Sequence, residues 1–412
     1  MNQGEDQRGR NMQSGRGQTP GPKKGTQQRR PISREERMRR KRERLKRRRR
    51  IAIAILCGIV LLLILIIAGI VALVRHFAGG SDRSNDKNDQ ASDLTIEEQQ
   101  PEENETKAET EPVSITISAA GDCTLGTDEY FDPSTSLNAY YDSNGPAYFF
   151  RNVKSIFEAD DLTIVNMEGT LTEETTRQDK TYAFKGPAEY TQILTDGDVE
   201  AANLANNHSH DYGDKSYTDT IAALDAAGIT NFGYDRTAVM DVNGVKVGLV
   251  GTYELAEGMG CEEEMISNIK AVEDQGAQIV IVSFHWGIER ENYPTENQVN
   301  LAHSAIYNGA DLVLGHHPHV LEGIEVYNGK NIVYSLGNFC FGGNSNPSDK
   351  DTMIFQQTFT VQNGELVEDN VTNIIPCSIS SDSSYNNYQP TPLEGDEADR
   401  VKGRIEEYSS GF

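Results

Sequence analysis

Ala310-Asp311-Leu312-Val313-Leu314-Gly315-His316-His317-Pro318-His319 reads as a short, mostly apolar strand running straight into a histidine-bearing turn. Three of the chain's eight histidines fall within four residues there. Neutral imidazoles at a strand end can bind a divalent cation at roughly 2.0–2.1 Å. A short histidine cluster is equally compatible with a polar surface loop, so the reading turns on whether other strands deliver partners to the same place. Alternation about Pro318 favours His317 and His319 pointing the same way and leaves His316 as the less certain ligand.

Other strands do end in ligand-type residues. Residues 113–119 read as a strand ending at Gly121-Asp122, and residues 162–165 as a strand followed by Asn166-Met167-Glu168-Gly169. Residues 199–204 read as a strand entering Ala205-Asn206-Asn207-His208, with His210 and Asp211 just beyond, and residues 279–284 as a buried strand ending at His285-Trp286-Gly287. Helical spacing covers residues 146–157, residues 216–227 before Gly228, and residues 296–308 before Gly309. Layered α/β folds gather ligands at the carboxyl ends of strands. Asn243-Gly244, Asn328-Gly329 and Asn363-Gly364 are tight-hairpin signals between strand-like runs. Mixing βα units with hairpins excludes a purely parallel doubly wound sheet. It predicts a mixed α/β (α+β) fold, with two packed mixed β-sheets flanked by helices, over residues 113–377. Residues 378–412 are polar and are expected to be a tail, partly ordered at most.

Charge divides the chain into two bodies. Residues 1–50 carry 19 Lys and Arg against 5 acids, and the remaining residues carry 19 against 58. Between them residues 51–74 form an unbroken apolar run, long enough as a helix to cross a hydrocarbon core of about 30 Å. The Arg-rich stretch before it predicts a single-pass transmembrane helix anchored in membrane lipid, with a cytoplasmic, largely disordered N-terminus and an extracytoplasmic C-terminal bulk. A cleaved signal peptide competes, with Ala78-Gly79-Gly80 as a cleavage site, but its apolar region is normally about 7–15 residues. Residues 75–112 are an acidic, self-repelling linker. Topogenic and lipid-surface roles explain the basic tail without nucleic acid, which is not expected as a partner. Five widely spaced cysteines, Cys57 among them within the apolar run, make no CxxC pair and no disulfide framework.

Five segments therefore supply possible metal ligands: Asp122, Glu168, Asn207-His208 with His210 and Asp211, His285, and His316 with His317 and His319. Carboxylates, an amide oxygen and imidazoles suit a hard-to-borderline divalent ion, and a carboxylate can bridge two of them. Singly, Asp122 also fits a turn or cap, Glu168 a solvated loop acid, Asn207 a turn former and His285 a core histidine. Glu254, Glu289 and Tyr334 are candidates for the rim of the pocket.

The motifs Ala120-Gly121-Asp122, Asn166-Met167-Glu168-Gly169, Leu204-Ala205-Asn206-Asn207-His208 with Asp211 and Gly213, His285-Trp286-Gly287 with Glu289, and Gly315-His316-His317-Pro318-His319-Val320 occur in this order, closed by Tyr334-Ser335-Leu336-Gly337-Asn338-Phe339. Over residues 114–341 they resemble the CapA family of capsule-synthesis proteins, also called poly-γ-glutamate synthesis accessory proteins. A single-pass anchor with an outward-facing domain resembles that family's membrane-bound members. The family is in turn similar to calcineurin-like metallophosphoesterases, so the resemblance implies a metallophosphoesterase-like fold and two divalent metal ions (Mn, Fe, Zn or Mg). Asp122 would then be a first-strand ligand, Glu168 a bridging acid and Asn207 the amide ligand, with His285, His317 and His319 completing the shells. His208 would stabilise a leaving or attacking oxygen, with Asp211 as its companion catalytic candidate. Two positions depart from the phosphoesterase pattern: Cys123 and Thr124 follow Asp122 without the usual histidine, and Asn166 and Glu168 replace a Gly-Asp pair.

The expectation is an accessory protein for synthesis, export or attachment of an anionic capsule polymer such as poly-γ-glutamate, with a polymer-synthesis membrane complex at the cell membrane as its candidate partner. The alternative is an extracytoplasmic metal-dependent hydrolase of phosphoester or peptide-like bonds without a capsule role.

Overall fold

The computed structural model describes residues 111–412. The basic tail, the apolar run at residues 51–74 and all but the last two residues of the linker lie outside the described residues. Among the described residues no helix is long and apolar enough to cross a membrane.

Along the chain the strands are β1 (Val113–Thr124), β2 (Leu162–Met167), β3 (Thr170–Leu171), β4 (Lys185–Gly186), β5 (Ala201–Asn203), β6 (Thr230–Phe232), β7 (Ala238–Val242), β8 (Val245–Tyr253), β9 (Ile279–His285), β10 (Leu312–His316), β11 (Ile324–Tyr327), β12 (Lys330–Val333), β13 (Asn338–Phe341), β14 (Asp351–Gln362), β15 (Glu365–Ser378) and β16 (Thr391–Pro392). One sheet runs β16-β15-β14-β1-β2-β5-β6, with β13 added beside the end of β1, and the other runs β11-β12-β10-β9-β8-β7. β1, β2, β5 and β6 are mutually parallel, as are β8, β9, β10 and β12, while β14, β7 and β11 join antiparallel. Both sheets are therefore mixed.

The three Asn-Gly pairs turn the β7–β8, β11–β12 and β14–β15 hairpins. Asn243, Asn328 and Asn363 have φ of 53°, 51° and 56°, and the following glycines 85°, 81° and 87°. Both central residues are thus left-handed, the geometry whose twist matches a two-residue hairpin.

The central strands are apolar on both faces because both faces are covered. Ile279, Ile281, Leu312 and Leu314 pack inward with Ile115, Ile117, Leu162 and Ile164 of the opposing sheet. Val280, Val282, Phe284 and Val313 turn outward onto Met265, Ile269, Leu301 and Ala302 of the helices Glu262–Asp274 and Glu296–Tyr307. The outer face of the first sheet, with Val165, Ala202 and Leu204, packs against Phe149, Phe150, Ile193 and Leu224. The result is two packed sheets flanked by helices.

Two expectations change. Residues 146–157 do not form one helix: a single turn at Pro146–Tyr148 is followed by the short helix Lys154–Phe157. The aromatic spacing reflects Phe149, Phe150, Val153 and Phe157 plugging the core under the sheet from an irregular segment. The C-terminal residues are not a loose tail, because Gly395–Ser409 is a 15-residue helix. Val401 and Ile405 enter the inter-sheet core. Arg400 grips Asp351, at the start of β14, with bonds of 2.6 and 2.8 Å, and Arg404 pairs with Asp349 at 2.7 Å. Ala398, Val401, Ile405 and Tyr408 recur at helical spacing, a period masked in the sequence only by the segment's overall polarity.

Candidate metal centre

Parallel strands end on one edge, so residues following β1, β2, β5, β9 and β10 converge. Asp122 stands opposite Asn166 in the β1–β2 register and opposite Asn338 in the β1–β13 register, and His316 stands opposite His285. Glycine makes the approach possible. A Cβ on Gly121 would lie 2.0 Å from the Gly337 carbonyl oxygen, and one on Gly315 would lie 1.9 Å from that of Tyr334. The Asp122 N–H donates to the same Gly337 oxygen at 3.0 Å, which fixes the carboxylate at the sheet edge. Beyond β10 the chain leaves the extended conformation: His317 has φ +96° and His319 φ +59°. Left-handed backbone costs a residue with a Cβ about 1–2 kcal/mol, and such strain concentrates at functional sites.

Glu168 is the hub. Glu168, His285 and His317 form one group of potential ligand atoms within 4.8 Å of one another, and Asp122, Glu168 and His319 form a second. The Nε2 atoms of His208, His285 and His319 each lie 3.8 Å from Glu168 Oε1, too far for hydrogen bonds and with room for a cation between. Asn207 Oδ1 is 2.8 Å from His285 Nε2, so the expected amide ligand borders the first group. His317 and His319 both reach this cluster, with ring centroids 5.5 Å apart, although the backbone at both is left-handed and not that of an alternating strand. His316 belongs to neither group. It is buried, with Nδ1 3.6 Å from Asp122 Oδ1.

The donor set fits metal ions. Both Glu168 carboxylate oxygens are buried without a hydrogen-bond partner, as are Nδ1 of His317 and both ring nitrogens of His316. An isolated buried carboxylate is expensive unless a charge partner is supplied. Burial, with Asp122 and Asp211 adding, pushes Glu168 up to about 8, partly offset by His319. Burial works to lower His319, but Glu168 and Asp122 overcome it and push it up to about 10. Burial pushes Asp122 up as well, yet its bond to His319 and the surrounding charges bring it below its usual value. Burial lowers His317 to about 3 and His285 well below its usual value, which keeps both neutral, as metal ligation requires.

A proton-handling group stands beside this cluster. His208 Nδ1 is 2.7 Å from Asp211 Oδ2, so its N–H donates there and Nε2 faces Glu168. Asp211 also accepts from the Phe184 N–H at 2.5 Å and from Lys180 Nζ at 2.6 Å. Burial lowers the His208 pKa despite the Asp211 bond. Behind the ligands, Asn203 donates to Asn166 at 2.9 Å, and Asn166 donates to Asp122 at 2.8 Å.

The structure thus gathers all eight predicted residues: Asp122, Glu168, Asn207, His208, Asp211, His285, His317 and His319. His210 is not among them, since it pairs with Asp214 at the surface. Tyr334 is buried, with its hydroxyl on Glu325, and does not line the cleft. Glu254 accepts from Asn297 and does not line it either, whereas Glu289 does. Lys180 and Asn203 were not legible: Lys180 sits in an irregular loop without periodicity, and Asn203 reads as an ordinary strand residue. The cluster opens on a cleft of about 460 Å³ lined by His208 and His319 together with Tyr130, Tyr182 and Phe184.

Residues 116–343, which carry both sheets' site-forming strands, match the family described as bacterial capsule synthesis protein PGA_cap. The chain belongs to this family. Among PGA_cap relatives it is 33% identical over 266 residues to the PGA biosynthesis protein CapA of Bacillus subtilis (strain 168), covering 57% of this chain and 67% of that protein. It is 30% identical over 253 residues to the capsule biosynthesis protein CapA of Bacillus anthracis, covering 55% and 60%. The chain therefore spans about two thirds or less of these relatives' length. A crystal structure of a hypothetical protein from Thermus thermophilus shares 14% identity at a TM-score of 0.41, covering 64% of this chain and 99% of that one.

Proposed function

We propose that this chain is a membrane-anchored, extracytoplasmic accessory protein for synthesis, export or attachment of an anionic capsule polymer such as poly-γ-glutamate, and that its cluster holds two divalent cations sharing Glu168. The family match over the site-bearing region carries the first part, together with relatives named for capsule and PGA biosynthesis. The apolar run at residues 51–74 supports the anchor. Two packed sheets with ligands at the carboxyl ends of strands from both support a metallophosphoesterase-like reading of the fold.

Asp122, Glu168 and His319 would hold one ion, and Glu168, His285, His317 and Asn207 the other. Bound there, the ions would supply Lewis-acid polarisation of an ester, anhydride or amide oxygen. The protein's own part is orientation and proton handling. Asp211 fixes the His208 ring through Nδ1, Lys180 anchors Asp211, and a neutral His208 takes or returns a proton at Nε2. Phe184 lies against the His208 ring at 4.6 Å and keeps one face dry.

That oriented histidine favours a second reading, hydrolysis of a phosphoester or peptide-like bond. One experiment separates the readings: replace the gene in its host with the Glu168→Gln and His208→Ala alleles and measure surface polymer, alongside metal content and ester and γ-glutamyl hydrolysis by the purified chain. Polymer unchanged on outright deletion refutes the capsule role. Metal content unaffected by Glu168→Gln refutes the shared centre.

A further inference from the structure

Arg290 is the one Lys or Arg among the residues lining the cleft, and its guanidinium has no hydrogen bond or ion pair among the described residues. Arg151 and Lys402 are likewise without a hydrogen bond or ion pair among the described residues, but neither lines the cleft. Residues 111–412 hold 15 Lys and Arg against 48 Asp and Glu. Arg177 pairs with Asp128, Lys180 with Asp211 and Lys330 with Asp311, as Arg400 does with Asp351.

The backbone at Arg290 is strained, with φ +66°. Its N–H donates to the Pro318 carbonyl at 2.8 Å, so the turn that carries His317 and His319 also fixes Arg290. Two of the acids lining the cleft are engaged elsewhere: Asp349 with Arg404, and Asp132 with the Ser134 N–H and hydroxyl. Only Asp349 is neutralised by a cation, so Asp132 and Glu289 both keep their negative charge beside Arg290. Arg290 thus offers a place for one acidic group, while the two acids repel a dense run of them. Tyr130 and Tyr182 are 76% and 52% exposed, and the Tyr182 ring stacks with Phe184, giving an aromatic wall on which planar amide or ring groups can lie.

Resting on the metal-centre reading above, we propose that the cleft is a subsite for a single oxyanion-bearing group, a carboxylate or a phosphate, gripped by Arg290 at one end of an extended ligand whose neighbouring bond is presented to the cluster at His208 and His319. A guanidinium fork matches either oxyanion in bidentate geometry, which a lysine does not.

The test is calorimetric binding to the full chain, wild type, Arg290→Ala and Arg290→Lys, with metal content measured on each. Three probes are used: a γ-linked glutamate tripeptide, the same peptide with its carboxyls amidated, and a sugar phosphate. Arg290→Ala should weaken the bound anion about 10- to 100-fold, as expected for a charge-assisted hydrogen bond. Arg290→Lys should recover part of that loss, and the amidated peptide should not respond to the substitution. The probe that responds distinguishes carboxylate from phosphate. Equal binding of both anions to wild type and Arg290→Ala, or no binding of either to wild type, overturns the subsite. A wild-type chain that takes up no metal overturns the centre instead, and the binding comparison still reads Arg290 on its own.

Discussion

Replacing Gly121 with alanine asks whether the close passage of β1 beneath Gly337 is what places Asp122 in the centre. The new Cβ would meet Gly337 O at 2.0 Å, Gly337 C at 2.8 Å and Leu336 O at 3.2 Å, all backbone atoms that cannot swing aside. Contacts under 3.0 Å essentially never occur for a real Cβ, so the two segments must part by about 1 Å or more. Overpacking of that kind costs about 1–3 kcal/mol, and losing the 3.0 Å bond from Asp122 N to Gly337 O costs about 1 more. At roughly 2–4 °C per kcal/mol the melting temperature should fall by about 5–15 °C while the chain still folds. Ligand distances hold only to within about 0.2 Å, so a shift of that size dismantles the group of Asp122, Glu168 and His319. The group of Glu168, His285 and His317 draws no ligand from β1 and should survive with weakened affinity, because the Glu168 N–H bonds the Cys123 carbonyl and the His317 N–H bonds Asp122. Chelator-stripped and reloaded protein, measured by plasma mass spectrometry, should fall from two equivalents of metal to about one. Two equivalents bound with unchanged affinity would refute the reasoning.

Glu168→Gln should abolish both equivalents, whereas His317→Ala and His319→Ala should each abolish one, read by the same metal analysis; equal losses from all three would show that the groups are not separate. Glu200 should make stability depend on pH. Burial, with Asp198 and Asp160 adding, pushes its carboxyl up to about 7, so the folded state holds the proton more tightly than the unfolded one. Its contribution is therefore present below the ordinary glutamate range and is lost as pH rises through about 7. Glu200→Gln, whose side-chain oxygen can still accept the 2.8 Å bond from Thr163 N, should flatten the urea midpoint between pH 5 and 7.5, and an unchanged slope would count against the assignment. Ile405→Ala in the C-terminal helix should cost about 2–5 kcal/mol by urea unfolding, because Ile405 is 3% exposed within the inter-sheet core. A loss under about 0.5 kcal/mol would mean that the helix is an appendage.

Local sequence determined a good deal of this protein. The Asn-Gly pairs specified their hairpins, because few other dipeptides tolerate two left-handed residues in succession. Continuous apolar runs such as Ile279–His285 announced strands covered on both faces, and this one ends in His285, which reaches the centre. Two features depended on contacts between distant segments. The C-terminal helix is held by Asp351, about fifty residues earlier, and its apolar stripe finds its partners only in the inter-sheet core. The division of His317 and His319 between two groups sharing Glu168 comes from left-handed backbone in a turn pinned to β1 and to Arg290, which strand alternation cannot anticipate. The same holds for Lys180 and Arg290. Which cation is spent on a buried acid and which is left facing a cleft depends on the neighbours the fold supplies, and those neighbours are far away in the chain.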